Sequence, residues 1–232
     1  MINRIDKEML YSTDLNYVRF FIISLILSFS TPIYSKEYKL GIVVKDKNTP
    51  FYLEIKNGCQ FAASIYKDAT CVFEGPIVSD IRLQNEVIEK IIEQDVDVLA
   101  VAPIQSELLT NRALRKAIKK NIPLITIDAP LETDSSTGIK PFAYIGSNNF
   151  ELGSMLAKGL TKFREQGFSG RYIILSGRFD SHNLNLRIKG IRHELNNNIK
   201  HQLWTEVRES IYSYGKIDVA LGQLNTILKK TT

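Results

Sequence analysis

Cysteine is scarce in this chain, with only Cys59 and Cys71 among 232 residues. That excludes a disulfide-dense scaffold and a cysteine-rich zinc site, because no third ligand stands at a metal spacing. A Cys59–Cys71 disulfide and two buried free thiols are both compatible with the spacing. Histidine is nearly as rare: His182, His193 and His201 have no metal-ligand spacing, and His193-Glu194 lacks the second histidine of a zinc protease. All three read as solvated or structural. Glycine-rich phosphate cradles of the Gly-x-Gly-x-x-Gly and Gly-x-x-x-x-Gly-Lys-Ser/Thr kinds do not occur after any strand, nor does a Gly-x-Ser-x-Gly elbow. Asp128 alone does not make an acid–base pair, so no enzyme is expected, and no cofactor or metal. The net charge is only +5, and no dense Lys/Arg tract occurs. A nucleic-acid partner is therefore not expected.

Long apolar runs are also missing. The longest, Phe20–Phe29, is half of the roughly 20 residues needed to span a bilayer, and Arg19 precedes it. With Thr31-Pro32-Ile33-Tyr34-Ser35 behind it, residues 1–35 read as a signal peptide cleaved after Ser35 or an uncleaved anchor. The unusually long leader also allows a start at Met9. Export to the periplasm is the expectation.

From Lys39 onward the chain alternates apolar runs with amphipathic segments. Strands are expected at 40–44, 70–73, 96–101 and 122–127, with helices starting at Pro50 and spanning 80–93 and 107–119. That is a β-α repeat with right-handed parallel crossovers, hence a doubly wound sheet. Residues 36–130 make a first α/β lobe; two prolines, a glycine and a polar cluster within 129–141 break the pattern, so 131–142 reads as a hinge or crossover. The pattern restarts at Ala143–Ile145, so 143–232 is expected to form a second, partial α/β lobe. It carries helices at 150–163, 186–195 and 217–228, and strands at 172–175 and 202–207.

Ligands of open α/β sheets bind at the carboxyl ends of the strands. Phe51 and Tyr52 follow the first strand there and can stack on an apolar ring face. Asp128 ends the fourth strand with two acceptor oxygens, and Arg187 offers a five-donor fork. Ser147 and Asn149 add neutral polar groups at a helix start. Such a mixture suits a neutral polyhydroxylated molecule.

The sequence resembles the type I periplasmic binding proteins, in particular their ribose-binding branch. The similarity is carried by Asn48-Thr49-Pro50-Phe51-Tyr52, Asp80 with Gln84, VDVLAVAP at 96–103 and IPLITIDAP at 122–130. It continues through YIGSNNFELGSMLA at 144–157 and SGRFDSHNLNLRIKGI at 176–191. The resemblance implies two Rossmann-like lobes that close on a sugar or a sugar-like quorum signal. Phe51 and Tyr52 would stack on the ring, Asp128 and Arg187 would bond its hydroxyls, and Ser147 and Asn149 would contribute from the second lobe. The partner would be an ABC permease or a membrane sensor kinase. Two departures stand out. Ala129 replaces the family's arginine after the strand-four aspartate, and the family's final elements do not follow Leu228. A truncated chain with an incomplete second lobe is the expectation, with a fragment that has lost its binding activity as the alternative to a working receptor.

Overall fold

Apolar side chains on both faces of one strand require cover on both sides, and the stretch leading to Val44 has that character. In the computed structural model, Ile42 and Val44 are buried on one face of the sheet and Val43 on the other. The structure describes residues 36–110, 112–131, 138–162, 170–197 and 204–231. The apolar segment Phe20–Phe29, His201 and residues 132–137 of the expected 131–142 hinge lie outside them. Residues Glu37–Thr232 form one compact unit.

The main sheet is built from β1 (Tyr38–Val43), β2 (Ala69–Glu74), β3 (Val98–Val101), β4 (Leu124–Ile127) and β5 (Ala143–Ile145). All pair in parallel, in the order β2-β1-β3-β4-β5. Helix α1 (Pro50–Ile65) covers one face with Tyr52, Ile55 and Cys59. Helix α2 (Ile81–Ile92) covers the other, burying Ile88, Ile91 and Ile92 completely against Val43, Leu99 and Val101. Asp80 caps α2, its carboxylate accepting from the backbone N–H of Arg82 at 2.8 Å and of Leu83 at 3.3 Å. The helix expected at 107–119 is two short ones, α3 (Ser106–Thr110) and α4 (Ala113–Lys119). The Ala113 N–H, freed by the break, donates to the Asn85 side chain at 3.1 Å.

Two features differ from the sequence pattern. Ala143–Ile145 does not open a separate sheet. Its Ala143 pairs with Ile125 and its Ile145 with Ile127, which makes it the fifth strand of the first. Secondly, the later strands are shorter and more numerous than expected: β6 (Gly170–Tyr172), β7 (Leu175–Ser176), β8 (Trp204–Glu206) and β9 (Ile211–Tyr212). The chain 170–177 runs parallel to 204–214, but the ladder is broken. Val207 donates to the Tyr172 carbonyl and Ile211 to that of Ile174, so residues 208–210 bulge out of the second strand.

Helices α5 (Asn149–Thr161) and α6 (His182–Asn197) cross closely through a reciprocal glycine pair. A Cβ on Gly153 would fall on the Arg187 carbonyl oxygen, and one on Gly190 on the Phe150 carbonyl oxygen. Only glycine permits such contact between two backbones. A final helix, α7, spans Ile217–Thr231.

Cys59 of α1 and Cys71 of β2 are disulfide-bonded, with Cα atoms 6.0 Å apart. The bond closes a short loop that contains the α1–β2 turn. Reduction, or Cys59→Ser with Cys71→Ser, is expected to lower the unfolding free energy by about 2–3 kcal/mol. Thermal unfolding with and without reductant would show this as a lower Tm, and an unchanged Tm would mean the bond constrains little.

Candidate functional site

Strand β4 ends at Ile127, and at Asp128 the chain turns through a left-handed conformation with φ of 64°. Aspartate tolerates that region better than most residues, yet it still stores strain of about 1–2 kcal/mol. The turn is fixed from both sides. The Tyr144 hydroxyl donates to the Asp128 carbonyl at 3.1 Å, and Asp128 N–H donates to the Ile145 carbonyl at 3.1 Å.

The Asp128 carboxylate is the centre of a polar cluster. Tyr52 donates its hydroxyl to Oδ2 at 3.0 Å, and the Asn183 amide donates to Oδ1 at 3.2 Å. Lys45 Nζ, from the residue after Val44, lies 2.8 Å from Oδ2 and also donates to Asn183 Oδ1 at 3.3 Å. Ser181 adds a 2.6 Å hydrogen bond to that same amide oxygen. Lys45 and Asp128 are both largely buried, so their attraction is screened less than that of a surface pair. Burial, with the Asp128 charge beside it, holds the Tyr52 hydroxyl far above its usual range, so it stays a neutral donor.

Beside this cluster is a cavity of about 720 Å³. Its polar end is formed by Asp128, Ser147, Asn183 and Arg187, and Phe51 stands at its wall. Its floor runs along the α1 face of the sheet, through Ile42, Ala100, Ile125 and Ile127. Phe51 is 55% exposed and therefore free to meet a ligand face. Arg187 is oriented by its Nε–H, which donates to Asn149 Oδ1 at 2.8 Å. Asn149 in turn donates to the Ser147 carbonyl at 3.1 Å, so the start of α5 and the first turns of α6 share one network.

Of the six residues singled out in the sequence, four border the cavity: Phe51, Asp128, Ser147 and Arg187. Tyr52 does not. It is 6% exposed, packs with Ile42, Val44 and Ala102, and meets Phe51 edge-on with ring centroids 5.2 Å apart. Asn149 is buried as well and acts on Arg187 rather than on the cavity. Lys45 and Asn183 were not singled out. A lysine directly after a buried strand was the available signal for the first, while nothing distinguished Asn183 among its polar neighbours.

A second set of contacts joins the 178–180 turn to the first half of the chain. Arg178 pairs with Asp180 at 2.7 Å and donates to the Ser79 carbonyl at 3.5 Å, while Gln105 donates to Asp180 at 3.4 Å. The Arg178 guanidinium beside it holds the Asp180 carboxyl below the usual carboxylate range. This contribution is present above the unfolded pKa and fades as pH falls through the folded one.

Among curated proteins, the ribose import binding protein of Bacillus subtilis (strain 168) is 29% identical over 122 residues, 53% of this chain and 37% of that protein. An ABC transporter solute binding protein from Burkholderia graminis, solved in complex with D-arabinose, has a TM-score of 0.71 at 22% identity. The match covers 84% of this chain and 63% of that one. A fructose binding periplasmic domain of a hybrid two component system matches at a TM-score of 0.71 and 17% identity, over 83% of this chain and 60% of its own. The chain thus spans less than two thirds of each of these proteins. The family model for the periplasmic binding protein domain matches residues 40–232. With a parallel α/β sheet and a cavity whose polar end lies at the strand carboxyl ends, the chain belongs to that family, whose sugar-binding members it resembles.

Proposed function

We propose that the protein binds a sugar or sugar-like solute in the cavity at the strand carboxyl ends and presents it to an ABC permease. The observation that carries this is the convergence of Phe51, Asp128, Ser147 and Arg187, from four separate stretches of chain, on one cavity of about 720 Å³. An exposed aromatic face with hydrogen-bonding groups at one end suits a ring with apolar C–H faces and polar edges. Phe51 would stack on the ring. Asp128 would act mostly through the cluster it organises, since three protein groups already bond it. The relatives named for ribose and arabinose support the ligand class, and the Cys59–Cys71 bond suits the oxidising periplasm.

A thermal-shift screen of the protein against pentoses, hexoses and polyols tests the reading. A ligand at 100 times its Kd adds about 2.7 kcal/mol of stability and raises Tm accordingly. Failure of the whole panel would sink the proposal. Phe51→Ala is expected to abolish the ligand-induced shift, while changing the stability of the free protein by no more than about 0.5–1 kcal/mol, because the ring is half exposed. Unfolding of that variant would instead make Phe51 a core residue.

The similarity to the periplasmic domain of a two component system favours a second reading, in which occupancy is passed to a membrane sensor kinase. Deleting the gene separates the two. Loss of solute uptake supports delivery to a permease, whereas intact uptake with loss of solute-responsive transcription supports sensing.

A further inference from the structure

We infer that residues 178–183 form a strap that holds the two halves of the cavity together through protein contacts, and that solute enters and leaves only when the strap is released. The gating of solute rests on the proposed binding role of the cavity; the strap itself does not.

The segment reaches the carboxyl edge of the main sheet at four places. Lys45 follows β1, Ser79 lies beyond β2, Gln105 beyond β3, and Asp128 directly after β4. Arg178 donates to the Ser79 carbonyl at 3.5 Å, and Gln105 donates to Asp180 at 3.4 Å. Asn183 donates to Asp128 at 3.2 Å and accepts from Lys45 at 3.3 Å. One short stretch of chain thus bonds the loop after each of the first four strands. Those loops belong to the half of the cavity that carries Phe51, whereas the segment runs on into α6 and Arg187.

Internal bonds make the segment move as a unit. The Arg178 guanidinium grips Asp180 with two bonds of 2.8 and 2.7 Å, the fork geometry that fixes both side chains. Ser181 donates to Asn183 at 2.6 Å, and the Asn185 amide donates to the Phe179 carbonyl at 2.7 Å. Both ends are tied to the second half of the chain. Tyr214 N–H donates to the Gly177 carbonyl at 2.7 Å, and α6 is gripped by α5 through the glycine pair. Each outer contact is long, between 3.2 and 3.5 Å, and contributes little by itself. Because the segment is braced, the four break together in a single opening step. Each runs from protein to protein, so no solute is needed to bridge the halves. A site that has to open before it can be filled binds more slowly than one that is open already.

Two measurements on the full chain test this. In small-angle X-ray scattering without added sugar, Arg178→Ala with Asn183→Ala removes the contacts to three of the four loops and is expected to enlarge the radius of gyration over wild type. In stopped-flow binding of D-ribose and D-arabinose, Arg178→Ala with Gln105→Ala is expected to raise the association rate about 10-fold, the loss of two hydrogen bonds that involve charged groups. Neither of those two side chains lines the cavity, and a merely structural role would lower stability without speeding association. Should a double variant fail to fold, Gln105→Ala alone is expected to speed association about threefold. An unchanged radius would overturn the strap, whatever the sugars do. A larger radius with unchanged association would overturn the gating. Binding of neither sugar, with a larger radius, would remove the binding role and leave the strap standing.

Discussion

Replacing Gly153 by alanine is expected to destabilise the protein by about 3 kcal/mol, well above the cost of an ordinary surface change. The added methyl would coincide with the Arg187 carbonyl oxygen, which is backbone and cannot rotate away. Helices α5 and α6 would have to separate along their whole crossing, breaking the Ser154–Glu194 hydrogen bond of 2.7 Å and the Arg187–Asn149 bond of 2.8 Å. The variant should therefore lose ligand binding as well as stability. Gly159 of the same helix is the control, because nothing lies within 4 Å of a Cβ placed there. Gly159→Ala should be neutral or gain about 0.5–1 kcal/mol from helix propensity. Urea unfolding of the two variants side by side decides the matter, and equal midpoints would refute the close crossing.

Gln84→Leu is expected to cost about 3–5 kcal/mol, although the two side chains are similar in size. Gln84 is fully buried and holds three backbone groups at once. Its amide donates to the Ala102 carbonyl at 2.7 Å and the Val44 carbonyl at 3.2 Å, and its oxygen accepts from Ile104 N–H at 3.0 Å. Leucine would leave all three without that partner in a place water does not reach. The clip also fixes the chain just beyond β1 and β3, next to Lys45. Some loss of the Lys45–Asp128 geometry should follow. A shift in urea midpoint at constant m-value would show a change of stability alone. Wild-type stability would mean that the backbone groups find other partners.

The first four strands and their helices were legible because each is an apolar run of characteristic length, bounded by turn residues. What was not legible depends on partners that no local pattern encodes. Ala143–Ile145 has only three residues, and nothing in them says which sheet they join. The break between α3 and α4 is set by Asn85, on another helix, accepting from Ala113. Beyond the 208–210 bulge the two-residue strand Ile211–Tyr212 has no counterpart in the sequence reading, which ends its strand at 207. At the site, Phe51 and Tyr52 looked equivalent because both are aromatic and adjacent. Adjacent residues on a helix point about 100° apart, so only one could face the core. The inward spacing of Tyr52, Ile55 and Cys59 was the usable sign. The Asp128 cluster escaped notice because Lys45 and Asn183 are polar residues without a motif; they acquire meaning only when the fold brings them to one carboxylate.

Strand β5 belongs to the first sheet yet leads within four residues into α5, the helix that grips α6 and with it Arg187. Gly146, Ser147 and Asn148 are thus a short leash between the half of the cavity that carries Phe51 and the half that carries Arg187. If the two halves open to admit a solute, part of the rotation falls on these three residues. A side chain at Gly146 would meet the ring and hydroxyl of Tyr144, which holds the Asp128 turn, so only glycine lets this leash bend without disturbing the site.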